Sequence, residues 1–183
     1  MKVIRIAIGA FLIFSMLFGG YVGYEGEGNR ELDIPSCTSS EIQQLTSDGS
    51  TFCDKSAMMD ATIPIPKTLR LILDIEGNAY WDQPDVWFGI VQDKEAEKCI
   101  AATSGTLICE TNEIEFVAGG PNANGTFEWI VVEGDYRFIA GSTIADNGET
   151  TDVEYTYAVF LTQPVIISIA AIGAILILSG LKD

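Results

Sequence analysis

The sequence predicts a mainly β protein: an antiparallel β-sandwich, immunoglobulin-like or jelly-roll-like, flanked by two transmembrane α-helices. Three observations support this fold class. An uncharged apolar run lies near each end of the 183-residue chain. Between these runs, short segments of alternating apolar and polar residues are separated by turn residues, as in all-β domains. The spacing of the four cysteines fits closely paired segments.

The first apolar run follows a short basic start. Residues 6–24 are uncharged and mostly apolar, and a run of this length can span a hydrocarbon core of about 30 Å. Because no Ala-x-Ala-like cleavage site follows, residues 1–24 are predicted to be a retained transmembrane signal anchor. A cleaved signal peptide is the alternative.

The last apolar run directly follows a predicted strand, residues 152–161, whose apolar and polar residues alternate. Residues 165–181 carry no charge and only two serines, and therefore lack the polar stripe of a soluble helix. Residues 164–183 are predicted to be a transmembrane helix with a short cytoplasmic tail. Pro164 suits its first turn, and Thr162 is expected to cap it.

The net charge of −16 is unevenly distributed. Residues 25–163 contain 25 Asp/Glu and 7 Lys/Arg, an acidity that disfavours nucleic-acid binding. Lys2, Arg5 and Lys182 flank the apolar runs, so the positive-inside rule places both termini in the cytoplasm. Residues 25–163 are then expected outside, at a cell or virion membrane.

The residue types argue against an enzyme. Histidine is absent, which excludes Ser-His-Asp and Cys-His catalysis and histidine-ligated metal sites. Asp74 and Glu76 share one face of a predicted strand and could act as acid and base. They also match the solvated face of an antiparallel sheet, which is the interpretation we favour.

Residues 25–66 are predicted to be an extracytoplasmic tether that contains a short helix. Residues 25–33 are polar and rich in glycine and acidic residues. Ser40-x-x-Gln43 resembles a capping box, and Asp48-Gly49 would stop the helix that follows it. Cys37 and Cys53 bracket this helix.

Residues 67–163 are predicted to form the sandwich. Leu69, Leu71, Leu73 and Ile75 share one face of the first predicted strand, and residues 86–91 are apolar on both faces, which indicates a central strand. Three further strands present apolar faces: Ile114, Phe116 and Ala118; Phe127, Trp129 and Val131; Tyr136, Phe138 and Ala140.

Turn residues predict two hairpins. A two-residue turn at Glu133-Gly134 would place three pairs of residues opposite each other on one face: Val131–Tyr136, Trp129–Phe138 and Phe127–Ala140. A three-residue loop at Thr103-Ser104-Gly105, with a left-handed glycine, would place Cys99 opposite Cys109.

The cysteines are therefore predicted to form two disulfides, Cys37–Cys53 and Cys99–Cys109. Each should contribute about 3 kcal/mol by restricting the unfolded chain. Both need an oxidising compartment, in agreement with the topology inferred from charge. Buried free thiols are the alternative.

A predicted loop offers the main candidates for ligand binding: Tyr80, Trp81, Asp82 and Asp85. Exposed rings beside hydrogen-bond acceptors suit a sugar or a peptide. In the alternative interpretation, Trp81 folds back as a lid on the core. Trp87 and Trp129, in strands, are expected in the core.

Asp146, Glu149 and Asp152 offer hard oxygen ligands within one acidic segment, which calcium would accept. Their spacing departs from the EF-hand pattern, and Asn147-Gly148 is equally a turn signal. No other cofactor is expected.

Three short motifs complete the inventory. Gly19-x-x-x-Gly23 and Ala170-x-x-x-Ala174 would let helix backbones approach closely. Asn124-Gly125-Thr126 is a glycosylation sequon.

The combined features predict a non-enzymatic membrane protein with an acidic extracytoplasmic sandwich. Its expected role is that of an accessory subunit of a membrane complex or a surface interaction protein, in contact with lipid and with another membrane protein or a second copy. The alternative is a surface module that binds carbohydrate or calcium.

Overall fold

The computed structural model describes residues 2–38, 40, 42–44, 51–102, 105–144 and 150–182. The helices are α1 (Lys2–Leu17), which continues into a π-helical turn (Phe18–Val22), α2 (Lys67–Arg70) and α3 (Gln163–Lys182); two 3₁₀ turns cover Asp93–Lys98 and Thr111–Glu113. The strands are β1 (Tyr24–Asp33), β2 (Ile42–Gln44), β3 (Thr51–Cys53), β4 (Lys55–Met59), β5 (Ile63–Ile65), β6 (Leu73–Tyr80), β7 (Val86–Gln92), β8 (Ile100–Ala101), β9 (Thr106–Glu110), β10 (Phe116–Gly119), β11 (Thr126–Ile130), β12 (Gly134–Ser142) and β13 (Thr150–Leu161).

The terminal helices are long and apolar enough to cross a membrane. Lys2–Val22 and Gln163–Lys182 have mean hydropathies of 2.1 and 2.4. The two helices pack against each other in antiparallel orientation: a Cβ atom at Gly9 would lie 2.6 Å from the carbonyl oxygen of Gly173, and one at Gly180 would lie 3.1 Å from that of Lys2. A pair of candidate membrane spans therefore forms one unit.

The glycine and alanine motifs named from the sequence do not form this helix contact. Gly19 lies against Leu161 and Gly23 against Phe160, both at the end of β13. Ala174 is exposed. The helices instead meet at Gly9 of α1 and at Gly173 and Gly180 of α3, which neither motif includes.

The first sheet has the strand order β1-β13-β6-β11. Strand β1 corrects the prediction of a tether, because residues 24–33 pair with β13 along their whole length, from Tyr24 opposite Val159 to Asp33 opposite Thr150. An edge strand needs no apolar face when its backbone is paired, so its polar sequence gave no signal. Gly26 and Gly28 leave room there for the rings of Tyr157 and Tyr155.

The second sheet has the order β10-β7-β12-β4-β9-β8, and β5 also pairs with β12. All pairs in both sheets are antiparallel, and the mainly β prediction is confirmed. Strand β7 is central, as its apolar sequence predicted. The finer prediction of an immunoglobulin-like or jelly-roll topology is not confirmed by this strand order.

The helix predicted after Ser40 is wrong over the described residues. Ile42–Gln44 is strand β2, which pairs with β3 so that Ile42 lies opposite Cys53. Residues 45–50, including Asp48-Gly49, lie outside the described residues. The disulfide from Cys37 to Cys53 holds β3 close to the preceding segment, and this tertiary constraint outweighs the local capping signal.

The first strand of the predicted sandwich begins later than its alternation suggests. Lys67–Arg70 forms one helical turn after Pro66, and strand β6 starts at Leu73. Thr162, which follows β13, explains why β6 starts only at Leu73. Its N–H donates to the carbonyl of Ile72 at 2.9 Å, and its hydroxyl donates to the carbonyl of Leu71 at 3.0 Å. The Thr162 side chain therefore holds this turn and does not cap α3.

One predicted hairpin is confirmed and the other is wrong. Ile100 pairs with Ile108 and Ala101 with Leu107, so Cys99 and Cys109 are opposite as predicted; Thr103 and Ser104 of the predicted loop lie outside the described residues. Strands β11 and β12, in contrast, belong to different sheets. The chain crosses between the sheets at Glu133-Gly134, and Trp129 meets Tyr136 ring to ring across the core, with centroids 5.0 Å apart.

Two hydrophobic cores result. The first lies between the sheets, and its buried residues include Ala79, Trp81, Phe88, Ile90, Phe127, Tyr136, Ala140 and Val153. The second lies on the opposite face of the larger sheet, under the 3₁₀ turns, and comprises Met58, Trp87, Val91, Cys109, Ile114 and Ile139. The larger sheet is therefore buried on both faces, which accounts for the uninterrupted apolar sequence of β7.

Candidate functional site

Both predicted disulfides are formed. Cys37 and Cys53 have Cα atoms 5.9 Å apart, and those of Cys99 and Cys109 are 4.3 Å apart. Cys37, Cys53 and Cys109 are buried, so neither bridge presents a reactive sulfur at a site. The disulfides are structural links within the β-domain.

The aromatic loop does not present Trp81 to a ligand. Only 2% of Trp81 is exposed, its indole N–H donates to the carbonyl of Val86 at 2.8 Å, and its ring packs edge-on against Phe88. The alternative interpretation, in which Trp81 folds back onto the core, is therefore correct. Trp87 is buried in the second core as expected, and Trp129 is half-buried beside the first.

Two of the other loop candidates, Tyr80 and Asp82, line a polar cleft of about 350 Å³. Tyr80 is 53% exposed, and Asp82 and Asp85 are also exposed. A hydrogen bond to Asp82, together with the charge of that carboxylate, raises the pKa of the Tyr80 hydroxyl above its usual value. The cleft presents hydrogen-bonding groups and a tyrosine ring, without a second aromatic platform.

The proposed calcium ligands cannot be assembled from the described residues. Asp146 and Glu149 lie outside them, and Asp152 is exposed on β13. Within the part of the chain that the structure describes, no group of three or more His, Cys, Asp or Glu side chains could hold a metal ion.

Two other sequence candidates lie at the surface. Asp74 and Glu76 are exposed on β6 and line a groove of about 630 Å³, together with Arg70 and residues of α3. Asn124, the sequon asparagine, is also exposed.

A largely apolar cavity of about 430 Å³ lies between the two sheets. Its walls come from seven strands and include Met59, Ile63, Ile65, Ile75, Ile90, Phe127, Trp129, Phe138, Tyr155 and Tyr157. Exposed residues, Arg30 of β1 with Ala61 and Thr62 of the β4–β5 corner, form its rim. Predominantly apolar walls with a polar rim suit an apolar side chain or a small apolar ligand.

Ionic contacts fix one rim of the cavity. Arg137 donates from Nε to Asp93 at 2.6 Å and from its terminal nitrogen to Asp60 at 3.0 Å and to the Met59 carbonyl at 3.3 Å. Thr62 also donates to Asp93, at 2.9 Å. The hydrogen bond from Arg137, followed by that from Thr62, lowers the pKa of the Asp93 carboxyl. The β4–β5 corner is therefore held against β12 and the first 3₁₀ turn.

The cavity wall contains one unsatisfied donor. The indole N–H of Trp129 is buried and has no hydrogen-bond partner. A buried donor without a partner costs free energy, which an acceptor on a bound group could recover. Among the described residues that line the cavity, Trp129 is the one whose side-chain donor is buried without a hydrogen-bond partner.

Sequence reasoning missed this cavity. Its residues alternate along strands as core residues do, and Trp129 was placed among them. No local sequence pattern predicts that two apolar faces will leave a space between them, because the size of that space depends on the distance between the sheets. The two tyrosines of β13, Tyr155 and Tyr157, were the one available signal, since their rings face glycines on β1.

Comparison with known proteins does not identify a family. No protein-family model matches the chain, and no curated protein matches it. Among solved structures, a chain from a study of Bacillus endospore appendages, described as a novel family of disulfide-linked pili, aligns with 77% of this chain and 91% of its own length. The identity is 10% and the TM-score is 0.30, which does not establish a common fold.

Proposed function

We propose that this protein is a non-enzymatic, membrane-anchored surface protein whose extracytoplasmic β-domain binds a neighbour in the plane of the membrane. The neighbour is another membrane protein or a second copy of the chain, and the protein acts as an accessory subunit or surface interaction module. Lys2, Arg5 and Lys182 orient it with both termini in the cytoplasm.

The main support for this proposal is the way in which the two apolar helices join the first sheet. After α1 and its π-turn, only Gly23 precedes β1, and only Thr162 separates β13 from α3. Strands β1 and β13 pair with each other directly beyond the helices. A domain joined in this way stands at a fixed height and orientation above the bilayer, which favours lateral contacts over capture at a distance.

The cavity and the neighbouring edge of the first sheet supply the binding surface. Among the described strands, β1 pairs only with β13, so its other edge is available for strand addition. Arg30 of this strand also lines the cavity. A partner strand laid along β1 could place an apolar side chain in the cavity.

Two experiments test the proposal. Alkaline carbonate extraction of native membranes should leave the full chain in the membrane fraction, and externally added protease should digest the β-domain in intact cells. Release by carbonate, or protection of the domain together with reducible thiols, would contradict the anchored surface location.

Cross-linking followed by purification in mild detergent should then yield a complex. Ala61→Arg adds a long cation at the exposed cavity rim and should abolish the complex while leaving the fold intact. Val117→Arg is the matched control, because Val117 is exposed on β10 and does not line the cavity. Equal complex yields for both variants would rule out the cavity as the binding surface.

A further inference from the structure

We propose that the turn formed by residues 67–72 is a lipid-docking element that lies in the headgroup layer and binds the phosphates of anionic phospholipids. This inference rests on the membrane anchoring proposed above. It names a second contact with the bilayer, made by the β-domain and independent of the two helices.

The turn exposes two large apolar side chains. Leu71 is 72% exposed and Ile72 is 50% exposed. They are adjacent in the chain, immediately before β6. Exposed neighbouring aliphatic side chains are stabilised when they are buried at the apolar boundary of a bilayer.

Hydrogen bonds place the turn where the chain would enter the membrane. The carbonyls of Leu71 and Ile72 both accept hydrogen bonds from Thr162, the residue immediately before α3. The turn is therefore fixed at the end of the candidate span. Its position does not depend on a flexible linker.

The charge of the turn is the opposite of that of the domain around it. Lys67 and Arg70 are two of the seven basic residues between positions 25 and 163, where 25 residues are acidic. Both are exposed. Clustered basic residues beside a membrane are attracted to anionic lipid phosphates. The Glu133 carboxylate lies 3.0 Å from one terminal nitrogen of the Arg70 guanidinium. A guanidinium has five N–H donors, so this contact engages only part of it.

A groove connects this charge to the apolar helices. Arg70, Tyr21 and Ile166 line the same groove of about 630 Å³. Asp74 and Glu76 line it as well, so a phosphate is favoured only beside Arg70. A phospholipid whose acyl chain lies alongside Ile166 and whose phosphate lies near Arg70 fits this division of the groove into apolar and basic parts.

Aromatic residues mark the same level on the first helix. Tyr21 and Tyr24 follow α1 and are both highly exposed, at 79% and 65%. Tyrosines are enriched where a membrane span meets the headgroups. Tyr24 lies opposite Val159 in the first sheet, and Val159 lies opposite Ile75, which is three residues after the turn. Tyr24 and the turn are therefore at the same end of the sheet, and both helices reach the interface at similar heights.

Depth-dependent fluorescence quenching tests the proposal. Leu71→Trp in the full chain is reconstituted into vesicles that contain brominated phospholipid, either phosphatidylcholine alone or mixed with phosphatidylglycerol, and the signal of the three native tryptophans is subtracted. Tyr80→Trp is the control, because Tyr80 is exposed at the opposite end of β6. We expect quenching and a blue shift for Trp at 71 and neither at 80.

Charge dependence provides the second readout. Adding Lys67→Gln and Arg70→Gln to the Leu71→Trp variant should remove the extra quenching seen in phosphatidylglycerol vesicles. Equal quenching at positions 71 and 80, in chains that resist carbonate extraction, would overturn the docking element and leave the anchoring intact. Quenching at 71 that is insensitive to lipid charge would overturn the phosphate interaction. Extraction of the whole chain by carbonate would overturn both proposals.

Discussion

At the scale of single residues, buried and half-buried charges fix parts of the domain that lack regular structure. Glu95 is the clearest case: 2% of it is exposed, and its carboxylate accepts hydrogen bonds from Lys98 at 2.7 Å and from the N–H of Glu115 at 3.1 Å. Burial alone would raise the pKa of Glu95, but Lys98 and the Glu115 N–H outweigh it and lower the pKa below the usual value. This carboxylate connects the first 3₁₀ turn to the segment that leads into β10.

Replacing Lys98 by Met should therefore destabilise the protein at neutral pH, and this cost should shrink in acid. A carboxylate with a lowered pKa stabilises the fold above its unfolded pKa, and that stability is lost as pH falls through the folded pKa. Without Lys98, burial dominates and the pKa of Glu95 rises, so the difference in stability between parent and variant narrows as pH falls and the carboxyl group is protonated in both. At neutral pH we expect a cost of about 1–3 kcal/mol, measured by denaturant unfolding in mild detergent.

Lys94→Met is the control for this variant. Lys94 lies 3.9 Å from Glu115, and both side chains are well exposed, so the change in stability should stay within about 0.5 kcal/mol. Identical acid unfolding curves for the Lys98 and Lys94 variants would refute the role assigned to Glu95.

At the scale of elements, the sequence was informative where two independent signals agreed. The register of β8 and β9 followed from a glycine turn combined with cysteine spacing, and Gly105 has the positive φ of 77° that such a loop requires. Glu133-Gly134 was a turn signal without a second constraint. A turn signal does not distinguish a hairpin within one sheet from a crossing between two sheets, and here the chain crosses.

Strand β1 and the cavity show a different limit of sequence reasoning. Residues 25–33 have no apolar periodicity, because their place in the sheet is determined by backbone pairing with a strand far along the chain. The cavity depends on the separation of two sheets, which is a property of tertiary packing. The choice between an exposed Trp81 and a Trp81 folded onto the core required its contacts with Val86 and Phe88.

Removing the second disulfide should destabilise one hairpin more than the rest of the domain. Replacing both Cys99 and Cys109 by Ser releases a short closed loop, and we expect a loss of about 3 kcal/mol. Hydrogen exchange should increase mainly in β8 and β9, which pair at the edge of the larger sheet. Uniformly faster exchange across both sheets would contradict this local role.

At the scale of the whole molecule, the helix pair and the first sheet form a continuous antiparallel unit. The helices approach at Gly9 and Gly173, and their direct extensions pair as β1 and β13. The larger sheet then packs on one face of this unit through the first core. Helix packing is therefore expected to affect the stability of the β-domain.

Replacing Gly173 by Leu tests this coupling. Its Cβ would lie 2.9 Å from the Gly9 carbonyl oxygen, so the helices must separate, at an expected cost of about 1–3 kcal/mol. Thermal unfolding in mild detergent should show a lower Tm for the domain. Ala174→Leu is the matched control, since Ala174 is exposed and should accept the larger side chain. A Tm unchanged by the Gly173 substitution would mean that the helices and the domain are independent.

The pairing of β1 with β13 also has a consequence for biogenesis. Strand β1 is among the first segments to leave the ribosome, whereas its partner β13, which occupies the place between β1 and β6, is the last strand made. The first sheet therefore cannot close during translation. A nascent chain must keep the β1 and β6 edges apart until the final segment has left the ribosome, and a message truncated before β13 would yield a product in which these strands have nothing to join.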